Sequence, residues 1–145
     1  MKKIDSYICF DGKTEEAFNF YRSVFGGEFS ALLRWNEMPE GDCGGMVSEA
    51  DGAKIMHISL PVGGGNVLMG NDVLPGMGPE LVSGNNFSIS ISTDDKAEAD
   101  RLFNALSENG QQIMPINDTF WGSYFGMLTD QFGINWMVSF DKTGS

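Results

Sequence analysis

The chain has one histidine and two cysteines in 145 residues. Cys9 and Cys43 stand far apart and make no disulfide scaffold, and reduced thiols are the rule inside a cell. One imidazole and two distant thiols do not supply the four close ligands of a structural zinc site. Basic residues are also scarce: 9 Lys and Arg face 20 Asp and Glu, for a net charge of −11. That field repels a phosphate backbone and an anionic bilayer surface, so neither nucleic acid nor membrane is expected as a partner. No apolar run approaches the roughly 20 residues that span a bilayer. The N-terminal MKKIDSYICF opens with charge, but Asp5 and Asp11 interrupt its apolar part. It is too short and too polar for a secretory signal, and a cytoplasmic protein is expected.

What the chain does have is core material: 41% hydrophobic residues, including 11 Phe, 9 Met and 3 Trp, enough for one domain. Ile4 to Phe10 reads as a strand closed by Asp11-Gly12, and Lys13 to Phe25 as a helix with Glu15 and Glu16 in its first turn. Gly26-Gly27 stops that helix. Strands are expected over Glu28–Trp35, Lys54–Pro61 and Asn66–Asn71, the last two joined by a Gly63-Gly64-Gly65 turn. The acidic loop Asn36–Gly52 carries Glu37, Glu40, Asp42, Glu49 and Asp51, with a helical turn expected around Met46–Ala50.

The segment Asp72–Asn85 reads as a connector between two modules, about 1–71 and 86–145. Beyond it, Phe87, Ile89 and Ile91 alternate with Ser88, Ser90 and Ser92 as in a half-buried strand. Asp95 and Glu98 fit a capping box before a helix that presents Ala99, Leu102, Phe103 and Leu106 and ends at Asn109-Gly110. A short strand at Gln111–Pro115 and a hairpin over Phe120–Leu128 and Ile134–Phe140 complete the chain. Both halves thus run strand, helix, strand, strand, strand, with an offset of roughly 80 to 85 residues. The predicted class is α+β: two βαβββ modules whose helix-free sheet faces combine as curved mixed sheets around a cavity.

Three motifs in this layout resemble the vicinal oxygen chelate superfamily of glyoxalases, bleomycin-resistance proteins and extradiol dioxygenases, and within it the PhnB-like branch. They are FDGKTEEAFNFYRSVFGGE (Phe10–Glu28), KIMHISL (Lys54–Leu60) and WGSYFGMLTDQFGINW (Trp121–Trp136). The resemblance covers nearly the whole chain and implies a homodimer of paired modules. It also brings the label of a demethylubiquinone methyltransferase. The residues lend that activity no support: Gly63–Gly65 lies between two strands, where a hairpin turn is the better reading than a cofactor loop.

Catalytic members of the superfamily hold a divalent metal through His or Glu on four strands. Aligned through Phe20-Tyr21, those positions fall on Ser6 (Tyr7 with a slip of one), Met69, Ser88 and Met137. Hydroxyl and thioether groups are poor ligands for such ions, so no metal and no other cofactor is expected. His57 is the only candidate imidazole. In the pattern Ile55-Met56-His57-Ile58-Ser59-Leu60 it shares a face with Ile55 and Ser59, either as a structural histidine or as a pocket donor or general base.

Alternation places Ser88, Ser90, Ser92, Asn135, Met137 and Ser139 on the cavity side, joined by Val67 and Met69. Ile89, Ile91, Trp136, Val138 and Phe140 then turn toward helix. Trp35, Trp121 and Tyr124 offer stacking surfaces at its mouth, although aromatics of this kind also serve as core or dimer interface. The expected ligand-binding set is therefore His57, Met69, Ser88, Ser90, Trp121, Tyr124 and Met137. Three functions follow: a metal-free small-molecule-binding protein, a superfamily enzyme (lyase, isomerase or dioxygenase) using His57 or an unrecognised metal site, and a structural homodimer with a filled cavity. The first is preferred. The acids of the 36–52 loop suit a cationic ligand or plain solvation, and Cys43 beside Asp42 is no activated nucleophile.

Overall fold

Two units, Met1–Val82 and Ser83–Ser145, make up the computed structural model, which describes residues 1–37, 48–76 and 78–141. Each unit is a βαβββ module. The first runs β1 (Ser6–Phe10), α1 (Thr14–Phe25), β2 (Ala31–Arg34), a 3-10 turn (Trp35–Glu37), the single-turn α2 (Glu49–Gly52), β3 (Ile55–Pro61) and β4 (Val67–Asp72). The second runs β5 (Ile89–Ser92), α3 (Lys96–Ser107), β6 (Gln111–Asp118), β7 (Ser123–Thr129) and β8 (Asn135–Asp141). The four-stranded sheets share one topology, β1-β4-β3-β2 and β5-β8-β7-β6. In each, the first and last strands of the module pair in parallel and the remaining pairs are antiparallel. The duplicated α+β layout expected from the sequence is present.

Helix α1 buries Ala17, Phe18, Tyr21 and Val24 at helical spacing. Its N-cap, Lys13, has no side-chain cap of its own. A carboxylate from the far end of the module substitutes. Asp72 Oδ1 accepts from Thr14 N (3.0 Å) and Thr14 Oγ1 (2.7 Å), while Oδ2 accepts from Ile55 N (2.8 Å). Asp72 is only 2% exposed and closes β4 rather than opening the connector. One side chain thereby ties α1, β3 and β4 together. The helix also sits close on its sheet. A Cβ on Gly70 would stand 2.8 Å from Phe18 Cε1 and 2.5 Å from the Ile8 carbonyl oxygen, so only glycine fits there.

Helix α3 begins as its capping box predicts. Asp95 accepts from Glu98 N (2.7 Å), and Glu98 Oε1 reaches back to Asp94 N (3.1 Å), one residue earlier than in the standard box. Ala99, Leu102, Phe103 and Leu106 form its buried face, and Asn109 follows the helix with φ 59°. At the second hairpin, the buried Asp130 accepts from Phe132 N (2.8 Å), Ile134 N (3.0 Å) and the indole Nε1 of Trp136 (2.8 Å). The D-x-F-G-x-x-W motif is thus a turn lock: its acid fixes the connection and anchors the largest fully buried side chain of the described residues.

Several element boundaries differ from expectation. Strand β6 continues through Pro115 to Asp118, because it lies at the sheet edge and is bulged, where a missing N–H is tolerated. Strand β7 begins at Ser123, leaving Phe120 and Trp121 in the turn before it. Trp35 lies beyond β2, and its Nε1 donates to the Asp72 carbonyl (3.2 Å). Glu40, Asp42, Cys43 and the start of the turn expected at Met46 lie outside the described residues. No helix among the described residues is long and apolar enough to cross a membrane.

Candidate functional site

Residues paired directly across strands share a sheet face, so register sorts every side chain. In the first module Ile8, Phe10, Ile58, Leu60 and Leu68 are buried, and α1 packs against β3 and β4. The opposite, helix-free face carries Tyr7, Met69 and Ser59 in one row, through the pairs Tyr7↔Met69 and Ser59↔Met69. Cys9 and Asn71 form the next pair, with His57 on the same face two residues before Ser59. A bulge next to Leu33 breaks the alternation of β3: Leu33 pairs with His57, but Arg34 pairs with Ile55. Ile55 is therefore turned into the core, fully buried, and does not share a face with His57 as its spacing suggested.

These side chains touch one another. His57 Nε2 lies 3.0 Å from Ser59 Oγ, and Nδ1 lies 3.5 Å from the Tyr7 hydroxyl. The Tyr7 and His57 rings are 5.9 Å apart at a 30° tilt. Cys9 Sγ donates to Asn71 Oδ1 (3.2 Å). Burial pushes the Tyr7 phenol above its ordinary pKa, with Cys9 adding to the effect, and burial also raises the Cys9 thiol. Both groups are held protonated, as hydrogen-bond donors rather than as anions. A thiol in that state is a poor nucleophile.

The helix-free face of the second module is simpler. Ser90 pairs with Met137 and Ser92 with Ser139, while Met127 and Phe125 continue the two rows on β7. Ile89, Ile91, Trp136 and Val138 occupy the helix side, as expected. The two faces are topological counterparts with different chemistry. The first has a phenol, an imidazole and a thiol; the second has hydroxyls, thioethers and one ring.

Three predicted site residues need correction. Ser6 pairs with the buried Leu68 on the helix side, so Tyr7 stands beside Met69. Ser88 precedes the first paired residue of β5, and Ser90 is the residue opposite Met137. Tyr124 pairs with Phe140, on the helix side of its sheet, and its hydroxyl donates to Asp100 of α3 (2.5 Å). Lys96 Nζ stands 4.5 Å over its ring and also pairs with Asp118 (3.7 Å). Tyr124 therefore belongs to a helix–sheet network. Trp121 does border the helix-free face: its half-exposed ring packs edge-on, 6.0 Å from Phe125. Tyr7, Ser59, Cys9 and Asn71 complete the cluster around His57. Of these, only Ser59 was marked by alternation from His57, and Tyr7 needed the one-residue shift in β1.

The Asp100 hydrogen bond pushes Tyr124 up to about 12. Its unfolded value is about 10, so the folded state favours the neutral phenol. The contribution is complete below pH ~10 and is lost as pH rises through about 12. Between those limits the urea midpoint of the native chain should fall more steeply than that of Tyr124→Phe, while below pH 9 the difference between the two should be constant. Parallel curves across the alkaline range would remove Tyr124 from the network.

A divalent metal, which the resemblance implies for catalytic members, does not suit these residues. The register positions are Tyr7 and Met69 in the first module and Ser90 and Met137 in the second, with neither carboxylate nor imidazole among them, and the one imidazole nearby, His57, has no second ligand of its kind beside it. Among the described residues no group of three or more His, Cys, Asp or Glu is placed to hold such an ion. The Gly63–Gly65 segment is a 3-10 turn joining β3 to β4, with Val62 N bonded to Asn66 O (2.9 Å), and opens no long helix.

Residues 2–139 match the family described as 3-demethylubiquinone-9 3-methyltransferase. Among solved structures, protein PA1353 of Pseudomonas aeruginosa is 41% identical, covers 97% of this chain and 98% of its own, and superposes with a TM-score of 0.82. A Bacillus cereus protein described as a putative 3-demethylubiquinone-9 3-methyltransferase, PhnB protein, is 25% identical over 96% of this chain and 99% of its own, TM-score 0.72. A glyoxylase/bleomycin resistance protein/dioxygenase domain from Frankia sp. EAN1pec is 11% identical over 100% of this chain and 96% of its own, TM-score 0.68, and shares the fold alone.

Proposed function

Since this chain belongs to the 3-demethylubiquinone-9 3-methyltransferase family and shares the fold of a glyoxylase/bleomycin resistance protein/dioxygenase domain, we propose that it is a metal-independent small-molecule-binding protein. Its ligand is held against the helix-free sheet faces. The observation that carries this reading is the set of side chains that the register places on those faces, taken module by module. Tyr7, Met69, Ser90 and Met137 are neutral donors and adaptable thioethers, suited to an organic molecule rather than to a cation. The Tyr7–His57–Ser59 contacts supply orienting polar groups beside them.

Native mass spectrometry of freshly purified protein, prepared without chelator, tests the proposal. The expected spectrum shows a homodimer with a sub-stoichiometric organic adduct and no bound metal. Stoichiometric manganese, zinc or iron would overturn the metal-independent reading. His57→Ala should lose the adduct while the chain stays folded, with stability lower by no more than the about 1–3 kcal/mol of a stranded Ser59 hydroxyl; loss of folding in step with loss of adduct would reduce His57 to a structural residue.

A further inference from the structure

The single histidine sits between two hydroxyls that differ in exposure. Ser59 is 7% exposed, and among the described residues its hydroxyl has one hydrogen-bond partner, His57 Nε2. A buried hydroxyl that kept its proton undonated would lose a hydrogen bond without replacement. Ser59 therefore donates to Nε2, and Nε2 must be the unprotonated ring nitrogen. In the neutral ring the proton then resides on Nδ1, which faces the Tyr7 oxygen at 3.5 Å. That oxygen is occupied as an acceptor, so its own proton is directed elsewhere. Tyr7 is 49% exposed, and its raised pKa keeps the proton in place.

We propose that Ser59 fixes His57 as its Nδ1–H tautomer, and that His57 in turn sets Tyr7 as an outward O–H donor for a neutral acceptor oxygen, such as a ketone or amide carbonyl, on an otherwise apolar ligand. This rests on the reading of the helix-free face as a ligand wall. Met69, between Tyr7 and Ser59 in the same row, offers a polarisable contact for the apolar body. A carboxylate is the poorer match, because a chain of net charge −11 repels anions. The Nδ1–Tyr7 contact is long, and a ligand that pulls on the phenol proton makes the tyrosine oxygen a better acceptor and shortens it. Ser59 and His57 are positioning residues here; Tyr7 makes the contact.

Because the chain has one histidine, long-range 15N–1H correlation spectra of its imidazole read the tautomer without assignment. At a pH where the ring is neutral, the expected result is the Nδ1–H pattern, shifting toward Nε2–H in Ser59→Ala. An Nε2–H pattern in the native chain overturns the proposal. Acetophenone, ethylbenzene and benzoate then serve as probes, with chemical shifts giving each affinity. Acetophenone should bind roughly 3–10-fold more tightly than ethylbenzene, the value of one hydrogen bond, and more tightly than benzoate. Tyr7→Phe should abolish the advantage over ethylbenzene while leaving the urea midpoint in place. Equal binding of ketone and hydrocarbon, or preference for benzoate, refutes the acceptor-oxygen inference and leaves small-molecule binding standing. If none of the three binds while native mass spectrometry finds an organic adduct, the inference again fails alone; no adduct and no binding overturn both readings.

Discussion

Replacing Asp130 by alanine should lower stability by about 3–5 kcal/mol, since it strips the partners from two backbone amides and a buried indole at once. Each unsatisfied buried donor costs about 1–3 kcal/mol, and water can recover part of this for the turn amides. A loss of that size is a large share of the roughly 5–15 kcal/mol that holds a domain of this kind. It should show as a lower urea midpoint with an unchanged slope. Asp130→Asn is the informative companion. Its carbonyl oxygen can still accept from Phe132 and Ile134, but its amide then meets the Trp136 N–H donor to donor. An intermediate loss of about 1–3 kcal/mol is expected. Combining Asp130→Ala with Trp136→Phe should be less damaging than the sum of the two, because the second change removes the stranded indole donor. An alanine variant within about 0.5 kcal/mol of the native chain, the range of an ordinary surface change, would show that the motif does not lock the turn.

A loss of similar size is expected for Asp72→Ala, with a different spectroscopic signature. Thr14 and Ile55 are fully buried, so three donors lose their acceptor where water has little access. The estimate is about 3–4 kcal/mol, of which about 1 kcal/mol is the lost helix cap. Because Lys13 provides no side-chain cap, the N-terminal turn of α1 should fray. Hydrogen exchange should accelerate there and at Ile55, while the second module keeps its protection. Uniform acceleration in both modules would mean that Asp72 supports the whole chain rather than its own module. Thr14→Val tests the same lock from the other side: it removes the hydroxyl donor and keeps the volume, and should cost less than the aspartate change.

Legibility in the sequence followed how strongly each pattern was constrained. The module order was readable because helix stops at Gly26-Gly27 and Asn109-Gly110 and the Asp95–Glu98 box are local signals with one meaning each. The faces of β5 and β8 were readable because Ser and Ile, or Met and Trp, alternate without interruption. Strand β1 gave no such guide. Tyr7, Ile8, Cys9 and Phe10 are all compatible with burial, so its phase was open by one residue, and Ser6 was placed where Tyr7 stands. Tyr124 was misplaced because an aromatic ring suits either side of a sheet; its partner Asp100 lies on another element. The same long-range character hid Asp72. At the edge of a Gly- and Pro-rich segment an aspartate looks like punctuation, and only the fold brings Thr14 and Ile55 to it. The bulge that turns Ile55 inward likewise depends on pairing with β2.

The helix-free face of the first module has a consequence for how this chain can change. Tyr7, His57, Ser59 and Met69 alternate along their strands with Ile8, Ile58, Leu60 and Leu68, so neighbours in sequence answer to separate demands. One set is constrained by packing against the helix, the other by whatever lies across the face. A single-residue exchange on the second set leaves the first intact. A lineage of such chains can therefore replace the chemistry of this face position by position without passing through unfolded intermediates, and a designer randomising only those alternate positions should recover a library in which most members fold.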